Sequence, residues 1–252
     1  MNQKPILALT SVSKNFGGVL AVHDLTFQIP RDGVYGLIGP NGAGKTTVFN
    51  LITGVYPSST GSIKTGCQEL TRMKPFQITR IGVARTFQTI RLFKSLTTLE
   101  HVRVAQRPYS GEKGSEAAGR RGRERNFKKE ADEILELLGL GNVRSSQAIT
   151  LPYGTQRKVE IARALAIQPK LLLLDEPAAG LNTHETADLL KTLGKIRRLG
   201  ITLLIIEHDM RIIMEICDHI FVLNFGQLIA EGSPDAIRHN DQVIGAYLGK
   251  ED

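Results

Sequence analysis

Residues Gly39 to Thr47, GPNGAGKTT, satisfy the pattern GxxxxGK[ST] and directly follow the apolar run VYGLI at 34–38. Gly39, Gly42 and Gly44 let the backbone bend so that successive N–H groups converge on phosphate oxygens, and a helix starting near Lys45 aims its positive end at them. Lys45 can then reach the β- and γ-phosphates while Thr46 places a hydroxyl on Mg²⁺; Pro40, Asn41, Ala43 and Thr47 complete the loop. This is a P-loop. A second element suits it. Leu171 to Leu174 is a continuous apolar run, of the kind buried on both faces of a parallel sheet, and it ends in Asp175-Glu176. Ligands of doubly wound sheets bind at the carboxyl ends of such strands. There Asp175 can hold Mg²⁺ directly or through water, and Glu176 can orient or deprotonate an attacking water.

Four other features stay open on residue type alone. His208 follows the apolar run 201–206 and reaches the same sheet edge as Asp175, where a structural role and a γ-phosphate contact fit it about equally. Gln88 ends a strand-like run from Ala84 and, taken alone, reads as a surface residue. Phe16 either lies in the core or stacks on an adenine ring. Leu151, Pro152, Tyr153, Gly154, Thr155 and Gln156 precede a helix whose apolar positions share one face, and its free N–H groups are either a second anion site or a plain cap.

The elements that position these residues follow from periodicity. Residues 6–29 alternate in two runs about Phe16-Gly17-Gly18, which predicts a small antiparallel sheet. Helices are expected from Lys45 to Thr53, from Pro75, from the capping box Thr97/Glu100, over Phe127 to Leu138, and from Thr183 to Leu199, closed by Gly200. A hairpin follows at His219 to Glu231, then helices opened by Ser233-Pro234 and Asp241. The stretch Pro108 to Gly122 reads as a flexible loop. With little strand signal from Leu92 to about Leu165, a helical lobe is expected inside an α/β chain.

At 252 residues and 41% apolar content the chain can bury a substantial core, and no apolar run approaches the ~18 residues of a membrane span. The N-terminus lacks a secretory pattern, so a cytoplasmic protein is expected, with Cys67 and Cys217 as reduced thiols. The net charge is +7, and residues 103–129 hold nine Lys/Arg against three Asp/Glu. That segment is either a solvated loop and helix face or a surface for phospholipid headgroups or an acidic partner.

Phe16, the P-loop, Gln88, a helical lobe, LPYGTQ, LLLLDE, AAGLN at 178–182 and His208 stand in an order that resembles the ATP-binding subunit of an ABC transporter over essentially the whole chain. ARTFQTIRLF at 84–93, EPAAGLN at 176–182, IEHDM at 206–210 and AYLGK at 246–250 look most like the branch serving high-affinity branched-chain amino acid importers. The resemblance implies an α/β fold: a P-loop NTPase (RecA-like) core with an N-terminal antiparallel β subdomain, over 1–91 and 166–252, and an inserted helical subdomain over 92–165.

It also implies roles. Phe16 would stack on adenine, Gln88 would link Mg²⁺ and the attacking water to the transmembrane subunits, and His208 would contact the γ-phosphate. Residues 151–156 would be the signature facing the P-loop of a second ATP-binding subunit, a paralogue or an identical copy, with AAGLN crossing that interface. ATP and Mg²⁺ are the implied ligands. The implied partners are two transmembrane permease subunits and, indirectly, an extracytoplasmic solute-binding protein, with no nucleic acid, at the cytoplasmic face of the inner membrane. Importers of urea or short amides share the pattern. A soluble ATPase of this type acting on ribosomes or nucleic acid is the rival, supported only by the basic segment.

One departure stands out: the family's usual signature reads LSGGQ, whereas Pro152 and Tyr153 replace its serine and first glycine. The hydroxyl donor to γ-phosphate is missing, which predicts slower hydrolysis at the site this signature completes. Pro152→Ser should therefore leave assembly intact and alter ATP turnover; an unchanged rate would remove the idea.

Overall fold

A computed structural model describes residues 4–106 and 120–248. Strands β1 (Leu7–Phe16) and β2 (Val19–Ile29) pair antiparallel about Gly17-Gly18, as their alternation predicts. The buried strand β3 (Val34–Ile38) runs into the P-loop, which opens helix α1 (Lys45–Ile52). Strands β4 (Thr60–Thr65) and β5 (Gln68–Glu69) complete a sheet of order β2-β1-β4-β5.

After α2 (Pro75–Arg80), strand β6 (Val83–Arg85) is shorter than the run 84–88 suggests. Thr86 still donates to the Leu173 carbonyl at 3.0 Å. Beyond it the backbone of Phe87 and Gln88 is captured by a helix instead of a strand. The described residues that follow hold α3 (Thr98–Gln106), α4 (Arg120–Leu137) and α5 (Tyr153–Leu165), with the single bridge Thr97↔Gln147 as their β pairing. The expected loop 108–122 lies mostly outside the described residues. Its last three residues belong to α4, because arginine is a good helix former and the lone Gly122 costs only about 1 kcal/mol.

The second sheet has order β10-β9-β3-β8-β7-β6. Strand β7 (Leu171–Asp175) connects through α6 (Thr183–Arg198) to β8 (Thr202–Ile206), and the three strands β3, β8 and β7 are parallel neighbours. Helix α7 (Met210–Ile216) leads to the hairpin β9 (His219–Asn224) and β10 (Gln227–Gly232), then α8 (Pro234–Arg238) and α9 (Asp241–Leu248).

Each face of this sheet has its own core. Leu172 and Leu174 pack with Val159 and Ala162 of α5 and Leu189, Leu193 and Ile196 of α6. Leu171 and Leu173 point the other way, toward Val48, Phe49 and Ile52 of α1 and Leu7 and Leu9 of β1. The period of two in a strand thus divides LLLL between two layers, which is why the run carries no polar residue. Leu173→Ala should cost about 3 kcal/mol, the scale of a large-to-small change in a fully buried site. Urea denaturation would measure it, and a loss below about 1 kcal/mol would show that the sheet is not closely packed on this face.

Candidate active site

At two of its glycines the P-loop lies against backbone that leaves no room for a side chain. A Cβ on Gly39, at φ 149°, would sit 2.1 Å from the Leu223 carbonyl oxygen, and one on Gly44, at φ 100°, would sit 2.6 Å from the Ala21 carbonyl oxygen. Only glycine fits either position, and the loop is thereby held against β9 and β2. Gly44 also caps α1 without a side-chain bond, so the first N–H groups of the helix face outward for an anion. Ala43 donates to the Pro40 carbonyl at 3.2 Å and accepts from Gly226 at 3.0 Å, whereas Asn41, Gly42 and Thr46 are exposed and Thr47 is half-buried. Lys45 folds back on the loop, donating to the carbonyls of Gly39 at 2.6 Å and Pro40 at 2.9 Å. Burial lowers its pKa, and the charges of Glu176 and Asp175 oppose that shift.

The acidic strand end sits beside it. Asp175 is paired with Arg85 at 2.7 Å, both side chains being nearly buried. Arg85 also donates to Asn50 Oδ1 of α1 at 2.7 Å, and its guanidinium lies 5.5 Å and 5.2 Å from the ring centres of Phe49 and Phe87. Glu176 has φ 46°, a left-handed conformation that turns the chain sharply off β7 while its N–H still reaches the Ile206 carbonyl at 2.9 Å.

Its carboxylate gathers the two dispersed candidates. Gln88 Nε2 donates to Oε2 at 2.7 Å, and His208 Nε2 lies 2.7 Å from Oε1. His208 and Gln88, far apart in the sequence, thus both contact Glu176. Beside them Glu207, buried, accepts from Ala178 N–H at 2.7 Å and from His208 N–H at 3.2 Å, so it fastens the AAGLN turn to the end of β8.

Phe16 is not a core residue: it is 39% exposed, edge-on to Tyr56 at 5.2 Å, with Lys14 Nζ 4.8 Å from its ring centre. It ends β1 at the turn into β2, paired with Val19. Residues 151–156 are held by other parts of the chain than the P-loop. Pro152 caps α5 without a side-chain bond, Gly154 N–H donates to Glu185 Oε1 at 3.3 Å, and Gln156 Nε2 donates to the Leu151 carbonyl at 2.8 Å. Thr155 is half-buried, and Tyr153 is partly exposed. Sequence reasoning passed over Arg85, Glu207 and Glu185. The first two carried a signal, since a charge in or directly after an apolar strand run must find a partner when it is buried.

Mg²⁺ takes oxygen ligands and retains waters, so it needs few protein donors when phosphates supply the rest. The Thr46 hydroxyl, the Asp175 carboxylate and the Gln88 amide oxygen suit that ion, and no cluster of three or more His, Cys, Asp or Glu able to hold a metal occurs among the described residues.

Residues 22–179 match the ABC transporter family. The chain belongs to that family. Its fold is the ABC ATPase fold, and it is an ATPase of that class. Residues 227–252 match a further family, the branched-chain amino acid ATP-binding cassette transporters. The chain is 43% identical to the high-affinity branched-chain amino acid transport ATP-binding protein BraF of Pseudomonas aeruginosa, across 98% of this chain and 99% of that one. It is 42% identical to the corresponding protein LivG of Escherichia coli, with the same coverage of both. A crystal structure of the ADP conformation of an ATP-binding cassette of an ABC transporter superimposes with a TM-score of 0.85 at 30% identity, covering 98% of this chain and 99% of the other.

Burial raises the pKa of Glu207 above its ordinary 4.5, the nearby Glu176 charge adds to this, and the two backbone N–H bonds oppose it. The folded chain then holds this proton more tightly than the unfolded chain. The group favours folding at pH 4.5 and below, and that contribution is lost as pH rises from 4.5 through the raised value. Glu207→Gln keeps an acceptor for Ala178 N–H and removes the titration. Its stability, followed by urea denaturation in a pH series, should decline less from pH 4.5 to neutrality than that of the parent; parallel curves would count against the burial argument.

Proposed function

We propose that this chain is the ATP-binding and hydrolysing subunit of an importer for branched-chain amino acids, and that it energises separate permease subunits. The observation that carries the reading is the convergence of Gln88 and His208 on Glu176, beside the P-loop and at one edge of one sheet. The solute class is supported by the relatives' names and by the match of residues 227–252.

In this reading Lys45 leaves the carbonyls of Gly39 and Pro40 for the β- and γ-phosphates, while the N–H groups from Gly42 to Thr47 cradle them and Phe16 stacks on the adenine. Thr46, Asp175 and Gln88 would hold Mg²⁺, which would supply neutralisation of phosphate charge. Asp175, which is paired with Arg85, would supply its carboxylate to that ion directly or through water. Glu176 orients a water for in-line attack on the γ-phosphorus and accepts its proton, and His208 contacts the γ-phosphate and steadies the Glu176 carboxylate.

Each chain offers a P-loop and, at the N-terminus of α5, residues 151–156 as the signature for the site of a second ATP-binding subunit. No helix among the described residues is long and apolar enough to cross a membrane, which fits a peripheral place at the cytoplasmic face, against permeases that carry the solute path.

Glu176→Gln should lower kcat by about 10²-fold or more, the scale of a lost general base, with ATP still bound. Parental turnover in that variant would sink the assignment of Glu176. Tagged protein recovered from gently solubilised native membranes should bring down two polytopic permeases and a second P-loop ATPase. Ribosomes or nucleic acid in the soluble fraction, without permeases, would replace the importer reading.

A further inference from the structure

Helix α5 carries a buried ion pair that the reaction scheme above leaves without a task. The Arg157 side chain is fully buried and spends its guanidinium on the turn that holds Gln88. Nη1 donates to the Phe87 carbonyl and to Glu160 Oε2, both at 2.8 Å; Nη2 donates to the Gln88 carbonyl at 2.8 Å and to the Tyr153 hydroxyl at 3.4 Å. Glu160, equally buried, closes the contact from below by accepting Phe87 N–H at 3.4 Å. Burial pushes its carboxyl pKa up, and the Arg157 charge opposes that shift.

A planar guanidinium with donors at fixed angles can grip two consecutive carbonyls at once; an ammonium on a flexible stem cannot hold both in one geometry. Burying such a pair gains little net stability over an apolar one of similar volume, so stability is a poor reason for its presence. What the pair does instead is fix the backbone on both sides of the Phe87–Gln88 peptide, two to three residues beyond the end of β6. From that fixed backbone the Gln88 amide reaches Glu176 at 2.7 Å.

The fourth partner extends the linkage. Tyr153 packs its ring on the AAGLN turn, so closely that a Cβ on Gly180 would lie 3.2 Å from it. Tyr153 stands where LSGGQ has glycine, and a glycine could touch neither Gly180 nor Arg157.

We propose that Arg157 is a positioning residue for Gln88, gripping its backbone from the signature helix, and that Tyr153 ties this grip to the AAGLN turn. The inference rests on the functional reading of Gln88 and Glu176 given above. One continuous path then runs from Gly180 through Tyr153, Arg157 and Gln88 to Glu176 within a single chain.

The test is a double-mutant cycle on ATP hydrolysis by the full chain. Arg157→Lys keeps the charge and loses the fork; kcat should fall on the order of tenfold with KM for ATP changed by less than about twofold, since the contact serves alignment and not ground-state binding. Thermal unfolding establishes that each variant is folded at the assay temperature. Adding Arg157→Lys to Gln88→Ala should cause no further loss, because a grip on Gln88 has nothing to align once the amide is gone.

A parental kcat in Arg157→Lys, or losses that multiply in the double variant, would overturn the proposal. Should Arg157→Lys fail to fold, Tyr153→Phe deletes only the hydroxyl. Its kcat should drop less, again with no added loss in the Gln88→Ala background, and a parental rate there would be equally fatal. Gln88→Ala separates the two levels: if it turns over at the parental rate, the functional reading of Gln88 fails and takes the proposal with it, whereas a slow Gln88→Ala beside a parental Arg157→Lys defeats the proposal alone.

Discussion

The parallel hydrogen bonding of β3, β8 and β7 is the constraint on which the site depends. Because these strands run the same way and are buried on both faces, the chain leaves all three at one edge. Gly39 follows β3, Asp175 ends β7 with Glu176 directly after it, and Glu207-His208 follow β8. The register Asp175↔Ile206 sets Glu176 level with Glu207, one residue before His208, and the left-handed turn at Glu176 swings its carboxylate toward both the His208 imidazole and Gln88. A one-residue slip would send the apolar side chains of β7 to the wrong layers, so packing on two faces also defends the chemistry at the edge.

Charge at this edge is answered from within the chain. Lys45 holds the carbonyls of its own loop, Asp175 holds Arg85, and Glu176 holds Gln88 and faces His208. The N-terminus of α5 makes a similar contact with Glu185, whose other oxygen accepts from Asn182 N–H in the cap of α6. An unanswered buried charge costs several kcal/mol, so such pairs keep the site intact without a ligand. In the proposed mechanism nucleotide binding is an exchange of partners. Its net free energy is the difference between bonds to phosphate and the internal bonds given up, which is smaller than either set alone.

Helix α5 meets both halves of this arrangement. Its apolar face lies on Leu172 and Leu174, its first turn carries part of the stretch proposed as the signature, and Arg157 reaches across to the chain leaving β6. Pro152 offers no hydroxyl donor at the helix start, while Tyr153 makes contacts to Gly180 and Arg157 that a glycine cannot make. The departure from LSGGQ is thus a change of connection as well as a loss of a hydroxyl.

Residues 39–47 declared themselves in the sequence because their chemistry is local: glycines, lysine and threonine act within one turn, and adjacent residues encode that turn. The same holds for the apolar run ended by Asp175-Glu176, for the Thr97/Glu100 cap and for the hairpin at Phe225-Gly226, each set by neighbours within a few positions. Gln88, Glu176 and His208 could be nominated one by one, yet only the resemblance gave Gln88 and His208 distinct tasks, since 88 and 32 residues separate each from Glu176. Bringing them together took strand order and register. Arg85, Arg157, Glu160 and Glu207 stayed hidden for a related reason: a lone charge beside apolar residues says that a partner must exist, and says nothing of where. Their partners were decided by the tertiary structure, because burial removes water as an alternative and leaves each charge only the groups that the fold happens to place within reach.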